Sequence, residues 1–445
     1  MSYEMIAILM ALSLVMLLVT GQRVFAAIGF VASAAALMLY GQGAMELPFS
    51  QVFKLFNWYP MLTLPMFIYM GYILAESGIA EDLYRMLHVW FGRVNGGLAI
   101  GTILLMVIVS AMNGLSVAGM AIGATIALPE LIRRGYDKIL ITGVVQGGSS
   151  LGILIPPSVV LVLYGMIARQ PVSQLWFAGL VPGLIMAMLF VAYIMIRAKL
   201  NPKLAPALSE EELNMPFMDK LRLAKAGIIP FAIFFLMTGL FVAGVTSLVE
   251  SSAVGATAAT VAAIANGRFS WKLVRETSMK TLNVSCMFLW LILAALAFGA
   301  VFDGLGAVRA IEKLFVTDWG LSPWTILIMM QLSFIVMGMF LDDTAMLVIV
   351  APLYVPLVKV LELGFDKQLI WFGVLYTITC QIAYITPPFG YNLFLMRSLA
   401  PKEITLMDIY RSIWPFAAIM VFTIILVMLF PQLALWLPGQ INVRG

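Results

Sequence analysis

Two adjacent carboxylates, Asp342 and Asp343, interrupt one apolar run, and Ile385-Thr386-Pro387-Pro388-Phe389-Gly390-Tyr391-Asn392 interrupts the next. An ionised carboxylate near mid-bilayer costs about 2.5–3.5 kcal/mol on insertion scales, so such residues face a protein interior or a polar cavity. Two consecutive prolines remove two backbone donors and break a helical ladder. Hydrocarbon tolerates this only where neighbouring protein or water satisfies the freed groups. The stretch reads as a broken-helix binding site. Freed carbonyls with Ser, Thr and Asn oxygens suit a hard monovalent cation such as sodium, and half-helix N-termini suit a carboxylate substrate.

A similar set of breaks lies earlier in the chain. Asn113-Gly114 interrupts an apolar run, and Gln146-Gly147-Gly148-Ser149-Ser150-Leu151-Gly152 leads into Ile155-Pro156-Pro157-Ser158. The ion-binding candidates are therefore Asn113, Gly114, Ser149 and Ser150 in the first set, and Asp342, Thr344, Thr386 and Pro387 in the second. Asn392, Asp343, Pro156 and Pro388 are the substrate candidates. Asn and Gly in mid-span can turn the chain back as a helical hairpin. A continuous helix whose small residues pack closely on a neighbour fits the same residues. The prolines could be structural kinks alone. One acid in the second set could carry a proton, so chemistry leaves sodium and proton both open, and it does not separate an orienting from a binding role for Asn392.

These candidates must be held by membrane helices. The chain of 445 residues is 62% hydrophobic and 11% charged, against about 25% charged in a soluble domain. At about 20 residues per crossing, the apolar runs leave room for roughly ten or more crossings plus re-entrant pieces. The chain is thus an all-α polytopic membrane protein. The start lacks a basic region and a small-residue cleavage site, so a retained first helix is expected. Residues 81–93 mix Asp82, Arg85, His88 and Arg93 with Leu83, Met86, Leu87, Trp90 and Phe91, as in a helix lying on the membrane surface. Basic connections at 197–225 and 268–280 are separated by two apolar segments, so they share a side, which the positive-inside rule makes cytoplasmic.

The landmarks recur in order. Gly135-Tyr136-Asp137-Lys138 precedes Pro156 by 21 residues, and Gly364-Phe365-Asp366-Lys367 precedes Pro387 by 23; Asn113 and Asp342 each lie 22 residues before those glycines. This pattern indicates an internal duplication. Repeats with paired broken segments point to a secondary transporter with its site at the repeat interface. Sequence order does not say whether the halves are inverted or parallel.

Other classes are weak. The net charge of +4 is spread over short connections, with no basic patch for nucleic acid. There is no GxxxxGK[ST] for ATP-driven transport and no HExxH, and the lone His88 builds no metal site. A channel, a membrane-embedded enzyme and a proton-coupled organic-anion permease acting alone are the rivals. Cys286 and Cys380 lie in apolar segments and read as packed thiols. Glu250 reads as an interfacial or helix-capping acid.

At 151–164 and 338–394 the chain resembles the large membrane subunit, the DctM-like group, of tripartite ATP-independent periplasmic (TRAP) transporters in the ion transporter superfamily. The likeness covers essentially the whole chain. It is carried by Leu131-Ile132-Arg133-Arg134-Gly135-Tyr136-Asp137, Ile155-Pro156-Pro157-Ser158 with Leu163-Tyr164-Gly165, Gly338-Met339-Phe340-Leu341-Asp342, and Thr386-Pro387-Pro388-Phe389-Gly390-Tyr391-Asn392-Leu393-Phe394. The resemblance implies an inverted-repeat elevator-type transporter with two helical hairpins and discontinuous helices, driven by sodium (Na+) and resident in the bacterial inner membrane. It implies as partners a small DctQ-like membrane subunit and a soluble DctP-like periplasmic binding protein that delivers an organic acid. The expected division is scaffold helices at 1–80, a first transport repeat at 81–175, scaffold helices at 176–300, a second transport repeat at 301–412 and a C-terminal helix at 413–445. The family's Ser-Gly-Ser turn is Asn113-Gly114-Leu115 here, its Gly-Thr is Ser149-Ser150, and its Thr-Pro-Thr-Glu run is Ser247-Leu248-Val249-Glu250. Asp342 and Thr386 match.

Overall fold

A computed structural model describes residues 2–41, 43–44, 46–92, 94–114, 116–207, 217–339, 341, 343–387 and 390–440. Every regular element among them is helical. Six described helices are long and apolar enough to cross a membrane, and the bent pair Glu46–Phe56 with Tyr59–Glu76 makes a seventh. Six shorter apolar helices, such as Tyr3–Val19 and Pro323–Gly338, account for the gap from the ten or more crossings that the apolar runs suggest.

The duplicated landmarks become duplicated helices. In the first half Gly97–Asn113 is followed after a left-handed Gly114 (φ 68°) by Ser116–Ile122, a π-helical turn and Leu128–Arg133. Then come Lys138–Ser150, a 3-10 turn at Leu151–Ile153, a break and Val159–Ala168. The second half runs in the same order, with Pro323–Gly338, Asp343–Val360, Gln368–Ile385, a break and Tyr391–Leu399. Gly135 (φ 75°) closes the preceding helix in left-handed conformation, and Gly364 (φ 83°) takes the same conformation in the link four residues past Val360; a residue with Cβ adopts it only at a cost. The tetrads part company after that. Asp137 caps its helix by accepting from the Leu140 amide at 2.9 Å, whereas the second helix has Lys367 at its cap, with no side-chain bond.

The two interrupted helices run antiparallel. Lys138, at the start of the first, donates to the carbonyl of Glu403, just past the end of the second, at 3.1 Å. The Tyr164 hydroxyl, near the end of the first, donates to the carbonyl of Leu369, at the start of the second, at 2.7 Å. Each second arm packs on the other half: Val159–Ala168 on Asp343–Val360, and Tyr391–Leu399 on Ser116–Ile122.

Helix Val172–Leu200 packs on Lys138–Ser150, Val159–Ala168, Gln368–Ile385 and Leu406–Leu429. The part of it expected at the start of the 176–300 scaffold thus sits against the broken helices. A second group is built from Val24–Ala35, Thr63–Glu76, Phe217–Val242, Leu248–Ala265 and the 34-residue Trp271–Gly304, which pack on one another. Two short helices link the groups. Ile79–Phe91 buries Leu83, Tyr84 and Leu87 and exposes Glu81, Arg85 and Trp90, the one-sided pattern expected of a surface helix. Ala307–Glu312 is its counterpart, and each starts after a left-handed glycine, Gly78 or Gly306.

Among the other expectations, Glu250 caps its own helix. Ser247 and Glu250 form a reciprocal capping box, with the Ser247 amide donating to the carboxylate at 2.7 Å. Cys380 is buried, but Cys286 is exposed. The expectation of a packed thiol fails there because an apolar membrane helix has lipid-facing and crevice-facing positions of the same composition.

Candidate functional site

The breaks of both halves meet among the helices that pack on Val172–Leu200, the first helix group. In the first half the Gly114 carbonyl accepts from the Val159 amide at 3.2 Å, so the turn and the Pro-Pro break touch directly. A Cβ on Gly114 would lie 2.5 Å from the Pro157 carbonyl oxygen, so any other residue would push the two apart. On the return arm, a Cβ on Gly119 would come 3.4 Å from Ser149. Small residues let these segments meet backbone to backbone.

Ser149 and Ser150 are fully buried. Their hydroxyls donate to the carbonyls of Gln146 (3.0 Å) and Gly147 (2.7 Å) in the preceding turn, which leaves oxygen lone pairs as acceptors. The Ser158 hydroxyl donates to the Ile153 carbonyl and accepts from the Leu161 amide, re-satisfying the backbone across the cis Pro156-Pro157 break. Pro156 itself borders a small apolar cavity with Trp176, Phe177, Phe234 and Met237, on the boundary with the second helix group.

In the second half, Asp343 opens its helix half-buried. Its side chain accepts from the Thr344 hydroxyl at 3.2 Å, and its carbonyl accepts from the Tyr376 hydroxyl at 2.7 Å. Thr386 returns its hydroxyl to the Ile382 carbonyl, and Pro387 sits half-buried in the turn that follows. Asn113 is the last residue of its helix. Asp342 and Pro388 lie outside the described residues.

Two of the bonds that join the halves lie beside the breaks. Asn392 and Ser116, both buried, are linked from the Asn392 amide nitrogen to the Ser116 hydroxyl at 3.2 Å. Gln381, fully buried, donates to the Ser150 carbonyl at 2.9 Å across 231 residues of sequence. Its own Oε1 has no hydrogen-bond partner among the described residues, and neither do Gln146 Oε1 and Gln331 Nε2. Sequence reasoning passed over Gln381, Gln331 and the pairing role of Ser116. One signal was present: Gln381 stands six residues before Pro387, as Ser150 stands six before Pro156.

The site is thus a crossing of two antiparallel broken helices, lined by hydroxyls, carbonyls and amides. Among the described residues no three His, Cys, Asp or Glu gather to hold a metal. The sequence profile described as "Tripartite ATP-independent periplasmic transporter, DctM component" matches residues 11–433.

The chain belongs to the DctM family. It is therefore a TRAP-type secondary transporter subunit rather than an enzyme, a multi-pass protein of the inner membrane, working with a periplasmic binding protein and a cation gradient. Classification as DctM implies the usual tripartite assembly.

Relatives of this DctM chain include the C4-dicarboxylate TRAP transporter large permease protein DctM of Pseudomonas aeruginosa, 28% identical over 92% of this chain and 93% of that protein. The sialic acid TRAP transporter permease protein SiaT of Haemophilus influenzae is 27% identical over 86% of this chain and 60% of that one. The ectoine/5-hydroxyectoine TRAP transporter large permease protein UehC of Ruegeria pomeroyi is 26% identical over 85% of each. The fold matches two solved transporters. YdaH of Alcanivorax borkumensis has a TM-score of 0.64 at 13% identity, over 89% of this chain and 90% of that one. MtrF of Neisseria gonorrhoeae has a TM-score of 0.56 at 15% identity, over 88% and 85%.

Proposed function

We propose that this DctM subunit carries out sodium-coupled uptake of an organic acid handed over by a periplasmic binding protein, moving it by an elevator. The observation that carries the reading is the crossing of the two broken helices at Gln381 and Ser150, start against end. It supports an inverted repeat whose pseudo-two-fold axis passes through the site, the arrangement in which alternating access is rigid-body motion around fixed binding groups. Each half then contributes one helical hairpin. Gly123 packs on Met106, nine residues after the Gly114 turn against eight before it, and the Ser333 hydroxyl meets that of Tyr354 at 2.8 Å across the second turn.

In this account the mobile body comprises 97–200 and 323–440, including helix Val172–Leu200, and the second helix group is the scaffold. The face holding Lys138 and Glu403 is cytoplasmic, because the Asp137 amide there donates to the carbonyl of Leu204, within the basic connection at 197–225, at 2.9 Å. Sodium is a co-transported ion. Asn113, Gly114, Ser149 and Ser150 supply oxygens for one ion, and Asp342, Thr344, Thr386 and Pro387 for another. The substrate carboxylate lies between the N-termini of Val159–Ala168 and Tyr391–Leu399, near Asn392, Asp343, Pro156 and Pro388, where helix dipoles favour negative charge. Ion and substrate drive each other because each stabilises the same arrangement of the broken segments. A small DctQ-like subunit completes the membrane part. The relatives' names span C4-dicarboxylate, sialic acid and ectoine at 26–28% identity, so identity does not choose the acid.

A cross-link tests the elevator. A Cβ on Gly299 of the scaffold would lie 3.0 Å from the Pro352 Cβ of the mobile body, so a small outward shift brings the pair to the about 3.5–4.5 Å that a disulfide spans. In a Cys286→Ser background, Gly299→Cys with Pro352→Cys is expected to lose uptake on oxidation and regain it on reduction. Full uptake with the bond formed would refute relative motion of the two bodies.

A further inference from the structure

A cavity of about 610 Å³ lies apart from the site, at the Arg169 end of the first interrupted helix, whose other end carries Lys138. Its walls come from both helix groups. Met166 and Arg169 to Ser173 belong to the group with the broken helices, while Lys54, Leu55, Trp58 to Pro60, Phe241, Ser247 to Val249 and Leu296 belong to the other group and its bent entry helix. The volume falls in the range of small-molecule sites, about 300–1,000 Å³.

The lining is chemically lopsided. Leu55, Trp58, Met166, Phe241 and Leu296 make an apolar body, and among the described lining residues the charged side chains are two cations, Lys54 and Arg169, with no acid. The cations come from different helix groups, both are exposed, and neither forms an ion pair among the described residues. A neighbouring cavity shares Arg169 and adds Lys359 with Asp303. Two like charges facing one apolar space repel each other, and an anion between them removes that cost.

Arg169 also sits in left-handed backbone (φ 53°, ψ 45°) as the cap of Val159–Ala168. For a side-chain-bearing residue this costs about 1–2 kcal/mol relative to glycine. The turn is held by Gln170, whose side-chain amide donates to the carbonyls of Ala168 (3.3 Å) and Arg169 (3.2 Å). The guanidinium is therefore presented from a fixed helix end.

We propose that this cavity binds one anionic membrane phospholipid, its phosphate between Lys54 and Arg169 and an acyl chain along Leu55, Trp58, Met166 and Phe241. The membrane is the source that fits the surroundings. Helix Glu46–Phe56 buries Gln51 and Leu55 but turns Phe49, Phe53 and Phe56 outward, and Tyr59 beside the mouth is exposed as well, a belt of aromatics suited to the bilayer interface. A lipid held by walls on two bodies favours only the arrangement in which those walls face each other, so occupancy biases the motion put forward above. The binding claim itself does not depend on that reading.

The test is native mass spectrometry of the purified chain, delipidated and titrated separately with phosphatidylglycerol, phosphatidylcholine and laurate. One phosphatidylglycerol is expected to bind at least tenfold more tightly than phosphatidylcholine. Lys54→Gln with Arg169→Gln is expected to lose that preference, Arg169→Lys to keep most of it, and Leu248→Trp to lower binding by filling the space. Equal phosphatidylglycerol binding by wild type and the double-Gln variant overturns the site. Tight laurate binding with no preference for phosphatidylglycerol assigns it to a free organic anion and overturns the lipid. Retention of sodium-driven uptake by Arg169→Lys establishes folding independently of lipid binding, and absence of uptake with intact lipid selectivity counts against the transport reading and not against this site.

Discussion

Replacing Gln381 with leucine separates a structural from a ligand-facing role at the helix crossing. The change removes Nε2, leaving the buried Ser150 carbonyl without its 2.9 Å donor; an unsatisfied buried acceptor costs about 1–3 kcal/mol. It also removes Oε1, which is buried without a partner among the described residues, and relieving that group returns a similar about 1–3 kcal/mol. The two nearly cancel, so ligand-free stability should change by about 1 kcal/mol or less. A ligand-facing role would give the oxygen a hydrogen bond to a charged group in the loaded state, worth about 1.5–3 kcal/mol. Apparent ligand affinity should then fall roughly ten- to a hundredfold. Thermal unfolding in detergent, titrated with sodium and with candidate organic acids, measures both quantities on the same samples. A variant much less stable without ligand, yet with undiminished ligand-induced stabilisation, would falsify the ligand-facing role.

Further predictions rest on other parts of the structure. Gly114→Ala sets a Cβ into the Pro157 carbonyl and a left-handed backbone; a strain of about 1–2 kcal/mol plus the lost bond to Val159 should slow uptake by tenfold or more in vesicle assays, and wild-type rates would contradict the close approach. Arg268 holds the surface helix by donating to the Ser77 carbonyl at 2.9 Å and pairing with Asp82 at 2.8 Å. The pair is partly exposed and worth about 1 kcal/mol or less, so Arg268→Gln should raise hydrogen exchange over 79–91 while barely changing global stability. Burial alone pushes the Glu130 carboxyl up, but hydrogen bonds and charge from Arg133 and Arg134 outweigh it and hold it below its ordinary value. A lowered folded value means its stabilisation is complete above the unfolded value and is lost as pH falls through the folded one. Glu130→Gln should therefore flatten that part of the acid-unfolding curve, and an unchanged curve would show that the pairing contributes nothing.

The breaks were readable because Gly, Pro and adjacent acids are locally incompatible with a lipid-facing helix, and their even spacing matched the common order of helices in the two halves. The surface helix at 79–91 and the cap at Glu250 were readable for the same reason, since both depend on residues within a turn or two. Gln381 was not, because its partner Ser150 is 231 residues away and a glutamine in an apolar run carries no local pattern. Helix Val172–Leu200 is apolar around most of its surface, so its sequence does not say which helix group it joins. The exposure of Cys286 was hidden likewise, because lipid, crevice and core all accept the same side chains.

The most direct test of the account is uptake of candidate organic acids into proteoliposomes holding this chain with its small subunit, with the binding protein outside and either a sodium or a proton gradient imposed. Accumulation that requires both inward sodium and the binding protein is the predicted result. Accumulation driven by protons without that protein would contradict the coupling and mark the chain as a permease acting alone.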